Sequence, residues 1–333
     1  MKLKLICTGF VIVFLTSCSA QTPNNVYSSL EKDYPESRYL SAVGEGDTRK
    51  DAEKNASAKL SLIFESNINV NQTLNEHYSE FSDDESSSLT YDAQTTKRTN
   101  IESDQKLLNI KYGKNGVDEN GNNYVVAYIN RSETASIYDE KIENNHSSII
   151  SLKNNADKSN IKINQYAALN RASGFMNENI ALMKQLSIIS PYNPDFSDKV
   201  SLYEDIYRAK GDVAGSIKFV IANDAGTDVK NTLKSILTSK GFKIADSGDF
   251  LITSSLKYED VDLGRKEIFY MWYMNIELKN AYHEVVFNFE KSGREGGISK
   301  TAVFAKAKYS ANQALKKNFI AGFEEYLNSL IGN

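Results

Sequence analysis

Residues 44–46, Gly-Glu-Gly, stand where a short apolar run, Tyr39 to Val43, meets a helix-like pattern. Glycines in that position can let backbone N–H groups cradle a phosphate. The dinucleotide fingerprint needs a third glycine, where helix packs on strand, inside a parallel βαβ unit. Arg49 occupies that third position, and its long side chain would crowd the packing. Glu65 lies at a suitable spacing for a ribose ligand, which favours the nucleotide reading. Against it, residues 67–74 alternate polar and apolar, as a half-exposed strand does and a buried parallel strand does not. A tight turn that binds no nucleotide is the expectation.

The other residues able to do chemistry are scattered. His77, His146 and His283 are far apart and show no metal-ligand spacing. Asp83-Asp84-Glu85 lacks the spaced oxygens and turn glycine of a calcium loop. There is no Gly-x-Ser-x-Gly elbow, His-Glu-x-x-His helix or Walker loop. A carboxylate pair assembled by folding would leave no trace in the sequence. The expectation is a non-enzymatic protein with no catalytic residue, no metal and no cofactor.

Cys18 carries the clearest chemistry. Lys2 and Lys4 precede an uncharged stretch, Leu5 to Leu15, too short to span a bilayer as a helix, and small polar residues lead into Cys18. That order reads as a secretory signal over residues 1–17. Leu15-Thr16-Ser17-Cys18 also resembles the lipobox of bacterial lipoproteins. The resemblance implies cleavage before Cys18, a diacylglycerol thioether on its sulfur and an acyl chain on the new amine. Cys7 leaves with the signal, so Cys18 has no disulfide partner within the chain. Each buried acyl methylene contributes about 0.8 kcal/mol, so two or three chains hold firmly where one would not. Residues 18–33 read as a tether.

Loss of Lys2 and Lys4 would move the net charge from −4 to −6. A mildly acidic body gives no support to nucleic acid binding or to electrostatic attachment to anionic lipid. The expected partners are the membrane, through the N-terminal acyl chains, and other envelope proteins. Ser19 after the lipidated cysteine points to the outer membrane.

The elements behind these residues form an α+β pattern of two small domains, each a mostly antiparallel sheet packed with helices, joined by a helical hairpin. Residues 34–131 read as the first domain. After the strand at Tyr39, Thr48 can cap a helix whose Ala52, Ala56, Leu60 and Ile63 share one face. A half-exposed strand over 67–74 and a polar, serine-rich segment over 79–100 follow. Lys106–Tyr112 and Tyr124–Ile129 read as strands separated by two Asn-Gly pairs, which signal turns. Residues 132–210 read as a helical connector, broken near "NNADKSN" and ended by "SPYNP". Tyr166, Leu169, Ser173, Met176, Ile180 and Met183 mark a packing face on its second arm. A short helix over Asp198–Ala209 completes it.

Residues 211–333 read as the second domain: strand, helix, strand, three longer strands, then a helix from Ser299 to Leu330. Along that helix Ala311, Leu315, Phe319, Phe323 and Leu327 repeat every four residues, an apolar stripe for docking on a sheet. The strand "IFYMWYMNIEL" points Tyr270, Trp272 and Met274 one way and Phe269, Met271 and Tyr273 the other, with polar Asn275 and Glu277 following. Such a strand is usually buried on both faces. The functional alternative is a partner surface, or a site for an apolar or glycan ligand, at Tyr270, Trp272 and Met274.

The opening of the first domain resembles the Lpp-twenty-like family of bacterial envelope lipoproteins, which itself resembles the N-terminal region of flagellar assembly protein T. Tyr39, Leu40, Gly44, Gly46, Ala52 and Ala56 match its Tyr-Leu-x-x-x-Gly-x-Gly and alanine-rich helix, "YVVAYINR" (Tyr124 to Arg131) its closing strand, and Tyr138 the tyrosine of the next helix. The resemblance covers about Tyr34 to Ile142. It implies an anchored envelope protein, with flagellar or cell-wall partners, and supplies no catalytic residues.

Overall fold

A computed structural model of the chain describes residues 30, 32–68, 107–118, 121–190, 192, 194–222, 226–262, 264 and 266–331. It has two sheets, one of three strands and one of five, packed with helices in an α+β arrangement. Strand β1 (Tyr39–Gly46) leads into helix α1 (Arg49–Ile68). Thr48 caps the helix. Its Oγ1 accepts the Asp51 N–H at 3.2 Å and donates to the Asp51 carboxylate at 2.6 Å.

The strand does not turn at Gly44. Gly44, Glu45 and Gly46 continue the ladder, opposite Val125, Tyr124 and Asn123 of β3 (Asn123–Asn130). This corrects the turn expected there. The glycines answer to the helix above them. Ala52, Ala56 and Leu60 are fully buried. A Cβ on Gly44 would lie 2.6 Å from the Ala56 Cα, and closer still to the Ala56 nitrogen and the Ala52 oxygen. A strand stripped of side chain lets a helix of alanines rest on its backbone.

The three-stranded sheet has the order β1-β3-β2 and is antiparallel throughout, with β2 at Lys111–Val117. β2 starts five residues later than the sequence suggests. A bulge between Tyr112 and Asn115 carries the first Asn-Gly pair inside the strand. Gly121, from the second pair, has φ +85°, and the Asp118 side chain accepts the Asn122 N–H at 2.8 Å. Asn67 and Ile68, expected to open a strand, end α1 instead. Residues 69–74 and the serine-rich 79–100 segment lie outside the described residues.

Helices α2 (Arg131–Lys158) and α3 (Lys162–Ile189) form the hairpin, and α4 (Ser197–Ser216) runs seven residues past its expected end. All six residues of the α3 packing face are buried. These helices are more than a spacer. Leu169, Met176 and Met183 of α3 join the core under the first sheet, whereas Ile163, Tyr166 and Ala167, with Ala214 of α4, join the second.

The second sheet comprises β4 (Lys218–Ile221), β5 (Lys243–Ile244), β6 (Phe250–Val261), β7 (Ile268–Lys279) and β8 (Val285–Gly297), ordered β5-β4-β6-β7-β8. β4 runs parallel to both neighbours, and the three long strands are antiparallel. α5 (Thr227–Ser239), α6 (Lys300–Ala314), a π turn (Leu315–Phe319) and α7 (Ile320–Ser329) contribute to its core. The whole predicted stripe from Ala311 to Leu327 is buried. Each four-residue step overshoots a 3.6-residue turn by about 40°. A straight α-helix would therefore carry Leu327 away from the sheet, and the π turn takes up the excess.

Candidate functional site

The residues that carry the family resemblance act as fasteners. Gly44, Ala52 and Ala56 set the close contact of α1 on β1. Arg131 donates to the Ile188 and Ile189 carbonyls at 2.8 and 3.1 Å, closing the end of α3, and to the Glu36 carbonyl at 2.8 Å. Burial there holds its guanidinium below the ordinary arginine range. The Tyr138 hydroxyl accepts the Leu108 N–H at 3.1 Å and donates to Gln185 Oε1 at 2.6 Å. Burial pushes its pKa up to about 12. The β1–α1 unit closes on antiparallel strands, so the parallel setting of a dinucleotide fingerprint is not built here.

Cys18, His77 and Asp83-Asp84-Glu85 lie outside the described residues, as does the side chain of Glu65. His283 sits in the β7–β8 turn at φ +62°. Among the described residues, no group of three His, Cys, Asp or Glu side chains could hold a metal ion, and no helix is long and apolar enough to cross a membrane.

His146 of α2 belongs to a set that ties three helices. Its Nδ1 lies 3.3 Å from the Tyr203 hydroxyl of α4, which also accepts Asn179 Nδ2 of α3 at 2.9 Å. The neutral ring can accept the tyrosine proton. Burial lowers the His146 pKa, Lys199 lowers it further, and Glu143 opposes them. A folded pKa below the unfolded one means that the unfolded chain takes the proton first. The neutral-state stability is thus complete above about pH 6.5 and is lost as pH falls through that value. Urea midpoints should drop between pH 7.5 and pH 5, and His146→Gln should remove part of that drop.

Tyr270, Trp272 and Met274 form no open surface. They are 9%, 4% and 2% exposed and lie beneath α6 and the π turn. The Tyr270 ring meets Phe304 of α6 at 5.4 Å. The Trp272 indole lies across Gly293 of β8, where a Cβ would stand 2.7 Å from Nε1, and Nε1 has no hydrogen-bond partner. The face read as a possible ligand surface is therefore core, because the apolar stripe of the C-terminal helix covers it.

The opposite face of the same strands is open. Ladder register places Ser255, Asn275 and Glu290 in one row and Lys257, Tyr273 and Ser292 in the next. They line a shallow cleft of about 490 Å³. Tyr273 is 39% exposed. Asn275 shares its face with Glu277, which takes Lys279 at 2.8 Å and Thr253 at 3.3 Å. The Lys279 ammonium, first among these partners, holds the Glu277 carboxyl below its usual range, and the Asn275 amide helps to hold it low. Asn275 Oδ1 is left buried and unpaired. The alternation in residues 268–278 contained this face, but nothing local tells which side the C-terminal helix will choose.

No protein-family model matches the chain, and no curated protein does. Among solved structures, a secreted protein of the human pathogen Helicobacter pylori is similar over 84% of this chain and 97% of its own, at 13% identity and a TM-score of 0.42. A minor lipoprotein of Acinetobacter baumannii is similar over 34% of this chain and 94% of its own, at 10% identity and a TM-score of 0.26. At these scores neither likeness speaks to activity.

Proposed function

We propose that this is a non-enzymatic lipoprotein of the bacterial envelope, anchored through Cys18, whose body docks an envelope partner. The anchor rests on the signal-like residues 1–17 and the lipobox resemblance. The docking half is carried by one observation: the long antiparallel strands bury one face under helices and leave the other open, with Lys257, Tyr273 and Ser292 exposed on it. An antiparallel sheet tolerates a wet face, but aromatic and polar residues set in rows across three strands also make a contact surface.

Two arms test this. Cys18→Ala should move the protein from the membrane fraction to the soluble fraction with its thermal midpoint unchanged; a variant that stayed in membranes would remove the anchor. A photo-reactive residue in place of Tyr273 should capture a defined envelope component in cells. The same group in place of Tyr309, 68% exposed on α6, should not. Equal capture from both positions would dismiss the open face as the docking side.

A further inference from the structure

We infer that the open face between β6, β7 and β8 binds a saccharide chain, with Tyr273 as the stacking platform and Asn275 Oδ1 as a fixed acceptor for a sugar hydroxyl or acetamido N–H. This rests on the reading of that face as the docking side and names what docks there.

A buried acceptor without a partner is a cost that folded proteins rarely keep. Turning the Asn275 amide would set its oxygen toward the carboxylate of Glu277, which Lys279 and Thr253 hold in place on the same face, so the turn brings no relief. The oxygen is already desolvated in a residue that lines the cleft, so a ligand donor that reaches it gives up little on binding. The flanking side chains across the strands, Ser255, Lys257, Glu290 and Ser292, are all exposed. Exposed side chains of this kind change rotamer within nanoseconds, which opens the way in.

The rest of the cleft selects the ligand. Two cations, Lys257 and Lys291, and one anion, Glu290, stand with two serine hydroxyls around a half-exposed tyrosine ring. Donors and acceptors stand together over a short distance, with an excess of only one positive charge. A ring hydroxyl gives and takes hydrogen bonds at one atom, and the C–H face of a sugar can lie on an aromatic ring. A nucleic acid would meet a net negative body. An added peptide strand would need a sheet edge, whereas Tyr273 and Asn275 lie on β7, inside the sheet.

The test is calorimetric titration of the full-length acylated protein, in a sugar-free zwitterionic detergent, with tri-N-acetylchitotriose and with cellotriose. At least one should bind with a dissociation constant below about 10 mM, and Tyr273→Ala and Asn275→Leu should each weaken binding by about tenfold or more. Asn275→Leu conserves volume and removes the orphan oxygen, so its thermal midpoint should hold or rise, and lost binding then is not lost folding. No heat with either sugar, or binding that both variants retain, would overturn the inference. Protein capture from the Tyr273 position without sugar binding would overturn it too, while leaving the docking face in place.

Discussion

Gly44→Ala should cost about 3 kcal/mol or more of folding stability, a large effect for one methyl group. The added Cβ would meet backbone atoms of Ala52 and Ala56, which cannot rotate away as the end of a long side chain could. Relief would require lifting α1 off β1 and opening the contact that buries Ala52, Ala56 and Leu60. The same substitution at Gly211, inside α4 with nothing within 4 Å of its Cβ position, should stabilise by about 0.5–1 kcal/mol. Denaturant midpoints followed by circular dichroism separate the two cases. Equal shifts would mean that the helix does not rest on the strand.

Phe323→Ala should lower stability by about 3–5 kcal/mol through the second core. Phe323 is 1% exposed, and its ring lies 6.0 Å from Phe319, 6.1 Å from Phe287, 6.2 Å from Phe242 and 6.5 Å from Phe219. It thus joins the C-terminal helix to β4, β8 and the β5 approach, and truncation leaves a cavity with walls on several elements. The thermal midpoint should fall by about 5 °C or more. Tyr309→Ala, on the exposed side of the same helix, should stay within about 0.5 kcal/mol of the parent. A Phe323→Ala protein as stable as the parent would contradict the packing of the stripe.

These two residues also show what the sequence could tell. Phe323 was legible because a stripe needs only its own period to be seen, and the stripe from Ala311 to Leu327 is buried as its spacing says. Gly44 is visible in the sequence, but its role is not. A glycine has the same letter whether it makes a turn or admits a helix, and the choice depends on Ala56, twelve residues away. The Asn-Gly pairs repeat the lesson, since the bulge opposite Val125 to Ala127 takes the first into the strand.

The open cleft was half legible. Two-residue alternation separated Trp272 from Tyr273, but the side to be covered was decided by a helix some thirty residues downstream. The preparation of Asn275 could not be read at all. It depends on Thr253, opposite Glu277 on the neighbouring strand, and on Lys279 reaching back to the same carboxylate.

Docking from a membrane surface presupposes the membrane. Intact-mass analysis of the mature protein purified from bacterial membranes addresses that directly. It should find a chain beginning at Cys18, heavier than its residues by a glyceryl thioether carrying two acyl chains and by one further acyl group on the amine. An unacylated N-terminus, whether at Met1, at Ser19 or elsewhere, would contradict the anchored body on which the proposed role depends.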